Sequence, residues 1–103
     1  MAIKLLWTPK ARADVKQIFI DIGKEQPQAA ERYFQQFRYK AGLLVDHPRL
    51  GERHPEIFRT ARMLVEAPYV ILYEAHPDTD EGEVQAVEIV RVVDGRRDLA
   101  ALF

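Results

Sequence analysis

The chain has 103 residues, 48 % hydrophobic and 30 % charged, with a formal net charge of −1, the profile of one soluble globular domain with one core. No stretch approaches the ~20 consecutive apolar residues that a bilayer crossing needs, and the opening MAIKLLWTPK has no signal-peptide core, so a cytoplasmic location is expected. The absence of cysteine and serine excludes disulfides, thiolate metal sites and serine nucleophiles, and near-neutrality gives no overall electrostatic footprint for nucleic acid.

In chain order, residues 3–7 form a short apolar run, read as a strand, ended by Thr8-Pro9. Thr8 is a good N-cap and Pro9 suits the first helical position, where its missing N–H costs nothing. Ala11, Val15, Ile18, Phe19 and Ile22 then recur at helical spacing, forming the stripe of a surface helix limited by Gly23 and Pro27. Pro27 opens a second helix whose stripe is Ala30, Tyr33, Phe34, Phe37, Ala41 and Leu44, stopped by Asp46-His47-Pro48. So short a connection makes the two helices an antiparallel hairpin. Residues 49–57 have no period and read as a surface loop.

Three β-rich runs follow, at residues 59–65, 69–76 and 84–93, punctuated by Glu66-Ala67-Pro68 and by residues 77–82. They predict an antiparallel meander. Strict alternation in the third run puts Val84, Ala86, Glu88, Val90 and Val92 on one face and Gln85, Val87, Ile89, Arg91 and Val93 on the other. Both faces are largely apolar, as they are in the middle run, so the helices cover one face and a partner is expected on the second, the alternative being that the helices and the tail bury both. The fold class is α+β, with order β-α-α-β-β-β and the helix hairpin on one face of a small, mainly antiparallel sheet.

Charge is unevenly placed. Residues 1–57 carry ten Lys+Arg against seven Asp+Glu, whereas residues 58–103 carry five against nine. Much of the later acid lies at Asp78, Asp80, Glu81 and Glu83, read as a solvated hairpin tip. Arg62 and Arg91 are candidates for cross-strand pairs with Glu74 or Glu88. His47, His54 and His76 lack HExxH spacing and cysteine companions, so neither a metal nor a cofactor is expected.

Several segments together carry a resemblance: Trp7-Thr8-Pro9-Lys10-Ala11 opening a helix, Asp46-His47-Pro48 closing the second, Gly51, Arg62, Tyr69-Val70-Ile71-Leu72-Tyr73, and Asp94-Gly95-Arg96-Arg97-Asp98. In order, spacing and total length the chain resembles the ParE branch of the RelE/ParE toxins of type II toxin–antitoxin modules. The resemblance implies a cognate ParD-like antitoxin whose C-terminal segment wraps the toxin, folding as it binds. RelE-type members cleave mRNA on the ribosome, whereas ParE-type members inhibit DNA gyrase.

The nuclease route needs a base, cations for the pentacovalent phosphate, and an acid for the leaving oxygen. RelE-type proteins place a Tyr or His near the C-terminus, but here Arg-Arg-Asp-Leu-Ala-Ala-Leu-Phe follows Gly95, and Phe103 stands about where the tyrosine falls. Val70 stands where they carry a phosphate-binding arginine. The expected function is therefore gyrase inhibition by binding, with a RelE-type ribosome-dependent mRNA endonuclease as the enzyme alternative and a non-toxic antitoxin-binding remnant as a third. No catalytic residue is assigned. Target contact is assigned to Arg62, Arg96, Arg97 and Phe103, and antitoxin contact to Tyr69, Ile71, Tyr73, Val90 and Val92; neither a membrane nor a specific nucleic-acid sequence is an expected partner.

Overall fold

A computed structural model describes residues 2–103. Its elements are β1 (Lys4–Trp7), α1 (Pro9–Gly23), α2 (Pro27–Leu43), β2 (Glu52–Arg53), β3 (Arg62–Glu66), β4 (Tyr69–His76), β5 (Ala86–Asp94) and a terminal 3-10 turn, Leu99–Leu102. The strands form one sheet ordered β1-β5-β4-β3-β2. β1 runs parallel to β5 and every other pairing is antiparallel. The β-α-α-β-β-β expectation thus holds with one addition: the segment read as a loop contributes β2, pairing Glu52 with Met63 and Arg53 with Arg62. Two residues are too short to show a period, which is why pattern alone misses them.

The helices start where local chemistry directs. Thr8 Oγ1 accepts from the Ala11 N–H at 3.0 Å and Pro9 occupies the first turn. The same hydroxyl donates to the Val90 carbonyl at 2.9 Å, tying the helix start to the sheet. α2 has no side-chain cap and relies on Pro27 and on burial of Ala29, Ala30, Phe37 and Ala41. Between helices and sheet lies the main core, built from Ala11, Val15, Phe37, Ala41, Leu44, Ile71, Tyr73, Ala75, Val87, Ile89 and Val92. Edge-to-face rings extend it, with Tyr69 5.3 Å from Tyr33 and 5.7 Å from Phe37.

Strict alternation fails at one residue of β5. Tyr73 lies opposite Ile89 and Leu72 opposite Arg91, so Val90 is an extra residue, a β-bulge. Beyond it the faces exchange, and Ile89 and Val92, assigned to opposite faces by period two, share the helix-covered core.

The second face is also closed by the chain itself, correcting the expectation of an open apolar surface. Val70, Leu72 and Val93 are only 6 %, 0 % and 4 % exposed, packed under Ile57, Phe58 and Ala61 of the β2–β3 connection and under Leu99 and Leu102 of the terminal turn. The reason is chain order: both covering segments flank the meander, so they reach its outer face without a crossover. Val65, 53 % exposed, and Phe103, 52 % exposed, stay open near this cluster.

Candidate functional site

The residues expected to contact an antitoxin do not form a surface. Ile71, Tyr73 and Val92 are 0 %, 0 % and 1 % exposed beneath the helices, so no partner reaches them while the hairpin stays in place. Tyr69 is half-buried in the aromatic cluster, and Val90 is the partly exposed bulge. Tyr73 serves the fold: its hydroxyl accepts from the Gly51 N–H at 2.8 Å and donates to the Pro48 carbonyl at 3.0 Å. Burial pushes its phenol pKa upward, and burial does the same to Tyr69.

The four residues expected to contact a target are not brought together. Arg62 is 5 % exposed, and its Nη1 donates to the Gly51 carbonyl at 2.9 Å while its Nε has no partner. It lies at the Tyr73 end of the β3–β4 ladder, with Arg96 and Arg97 just beyond the Tyr69–Asp94 end. Four residues of strand separate those ends, roughly 13 Å. Arg96 is held by Asp94 through its backbone N–H at 2.9 Å and its Nε at 3.0 Å. That side-chain contact lowers the Asp94 pKa to about 2. The Arg97 side chain makes no ion pair among the described residues, and Phe103 is 52 % exposed with its ring centroid 4.6 Å from that of Phe58.

The acidic hairpin tip is not simply solvated. Arg53 spans Asp78 at 2.8 Å and Asp80 at 2.9 Å, and Arg49 donates to the Thr79 and Gly82 carbonyls at 2.9 Å each. The basic first half thus clasps the acidic second half. Arg91 pairs across layers instead of across strands: it meets Asp14 of α1 at 2.7 Å, and the same carboxylate accepts the Val92 N–H at 3.0 Å. β1 ends opposite Ile89, so Asp14 satisfies an edge amide that a longer β1 would have taken.

An apolar concavity lies in a place that strand periodicity did not indicate. A cleft of about 470 Å³ opens between α1, α2 and the end of β1. Its walls are Trp7, Val15, Phe19, Phe34 and Phe37, and Arg12, Lys16 and Arg38 outnumber Glu31 at its rim. Phe19 meets Phe34 edge-on at 5.9 Å, and the Arg38 guanidinium lies 5.8 Å from the Phe34 ring centre. Phe19, at 39 % exposure, and neighbouring Ile20, at 41 %, leave apolar surface in water. The signal was present in sequence: Phe19 and Phe34 fall on stripes broader than the sheet can cover.

Fold and surface define the class, a small α+β protein with a helix hairpin on a mixed sheet and an apolar, basic-rimmed cleft on the hairpin. The chain belongs to the family described as ParE toxin of type II toxin-antitoxin system, parDE, which it matches over residues 5–99. Its fold is similar to that of a solved structure titled "Chromosomal ParDE TA system from P. aeruginosa", with a TM-score of 0.69 and 22 % identity over 89 % of this chain and 95 % of that one. No curated protein matches it. Among the described residues no helix is long and apolar enough to cross a membrane.

Proposed function

We propose that this toxin acts by binding DNA gyrase and is neutralised by a ParD-like antitoxin, part of which seats in the α1–α2 cleft. The observation that carries the binding reading is the state of the groups a nuclease would need. Tyr73 is locked between Gly51 and Pro48, and Tyr69 is packed among rings. Arg62 is buried, Arg96 is paired with Asp94, and Phe103 offers no proton-transfer group. Losing general acid–base help alone costs ~10²–10⁴-fold in rate, so what remains favours contact over cleavage. For the antitoxin, an apolar cleft with three cations against one anion at its rim fits an amphipathic helical segment with acidic flanks.

Two assays on the purified toxin test the target. Supercoiling by gyrase should be impaired, and mRNA on translating ribosomes should remain intact. Phe103→Tyr should leave both results unchanged. Codon-specific cuts with normal supercoiling would mean the RelE-type enzyme, and inactivity in both assays with intact antitoxin binding would mean a non-toxic remnant.

A further inference from the structure

We propose that Glu74, His76 and Glu88 form a binding site for a divalent transition ion of the zinc class, on the outer face of the sheet away from the helices. Period-based reading found no metal motif because the ligands come from two strands. The ladder assembles them: Glu74 of β4 lies directly opposite Glu88 of β5, and His76 stands two residues further along β4, on the same face. Their ligand atoms lie within 4.8 Å of one another, and His76 Nε2 is 3.5 Å from Glu88 Oε1. A tetrahedral zinc ion with bonds of ~2.0–2.2 Å holds its ligand atoms ~3.4 Å apart, so small side-chain rotations of the exposed His76 and the partly buried Glu74 and Glu88 close the triad. One imidazole and two carboxylates suit zinc or its neighbours better than magnesium or calcium, which prefer all-oxygen shells.

Two further features point the same way. Like charges directly opposite each other destabilise an antiparallel pair. Yet among the described residues no Lys or Arg pairs with Glu74 or Glu88, and His76 is the only basic group in contact. A divalent cation removes that repulsion. Thr60 Oγ1 also donates to Glu74 Oε2 at 2.7 Å, the kind of outer contact that holds a ligating carboxylate in orientation and leaves its other oxygen for the ion. The side chains of His76 and Glu88 are 48 % and 35 % exposed, leaving the remaining coordination positions to water.

The test is calorimetric titration of zinc chloride into the tag-free full chain, with magnesium chloride as comparison. About one zinc ion per chain is expected, and no magnesium binding at matched concentration. His76→Ala and Glu88→Gln should each weaken zinc binding by at least about tenfold, while His54→Ala, at a histidine already bonded to Glu56 at 2.8 Å, should leave it unchanged. Imidazole NMR of the unmodified protein gives a second reading free of folding effects: zinc should shift His76 resonances before those of His47. Equal affinity in His76→Ala, magnesium binding as tight as zinc, or an unmoved His76 signal overturns the site.

Discussion

Gly51 shows how one residue type is dictated by contacts distant in sequence. A Cβ there would lie 2.7 Å from the Met63 carbonyl oxygen and 2.7 Å from the Tyr73 ring, and the backbone oxygen cannot move aside. Gly51→Ala is therefore expected to cost about 1–3 kcal/mol, measured as a lower urea midpoint at unchanged slope; an unchanged midpoint would show that the β2–β3 edge yields freely. Tyr73 and Tyr69 set an alkaline limit. Their phenols ionise above the ordinary value in the folded chain, so above about pH 10 the unfolded chain has released protons that the folded one retains. Stability, present in full below that pH, should then fall as pH rises. An ultraviolet titration should show a late phase above the ordinary phenol range that Tyr69→Phe and Tyr73→Phe each reduce; a titration without that late phase would contradict the packing described.

The C-terminal element acts as a lid on the chain's own sheet. Leu99 and Leu102 pack on Val70, Leu72 and Val93, so deleting residues 96–103 bares an apolar surface that the rest of the chain cannot cover. The truncated protein should melt at lower temperature and bind a hydrophobic dye that the full chain ignores. Equal melting temperatures would reduce the tail to an appendage. Loss of toxicity on truncation is consequently ambiguous unless folding is measured alongside it. α1 is fastened differently, by Thr8 to the bulge at Val90 and by Asp14 to Arg91 and Val92.

Across the whole molecule, charge separates two tasks. At the hairpin tip Arg53 holds Asp78 and Asp80 while Arg49 bonds the Thr79 and Gly82 carbonyls, whereas Arg12, Lys16 and Arg38 remain around the apolar cleft. If an acidic segment docks there, as proposed, the double reversal Arg12→Glu and Arg38→Glu should slow antitoxin association and remove most of its salt dependence. The melting temperature should hardly change, since neither side chain enters a salt bridge among the described residues. Stopped-flow rates at low and high salt measure this, and an unaltered rate would place the antitoxin elsewhere.

Sequence alone determined the helix hairpin, the meander and the family. Helix starts depend on neighbours within one turn, as Thr8-Pro9 shows, and a stripe such as Ala30, Phe37 and Ala41 reports the helix that buries it. Period-two reading was sound for Tyr69, Ile71 and Tyr73 in β4 and failed in β5 at Val90, because a bulge is set by the partner strand and by Thr8 across the sheet. The two-residue β2, the burial of Arg62, the Asp14–Arg91 pair and the grouping of Glu74, His76 and Glu88 were decided by tertiary structure. So was the covering of the second face. Apolar residues declare that they will be buried, but whether their own chain or a partner buries them depends on where flanking segments can reach, and that is a property of the folded path.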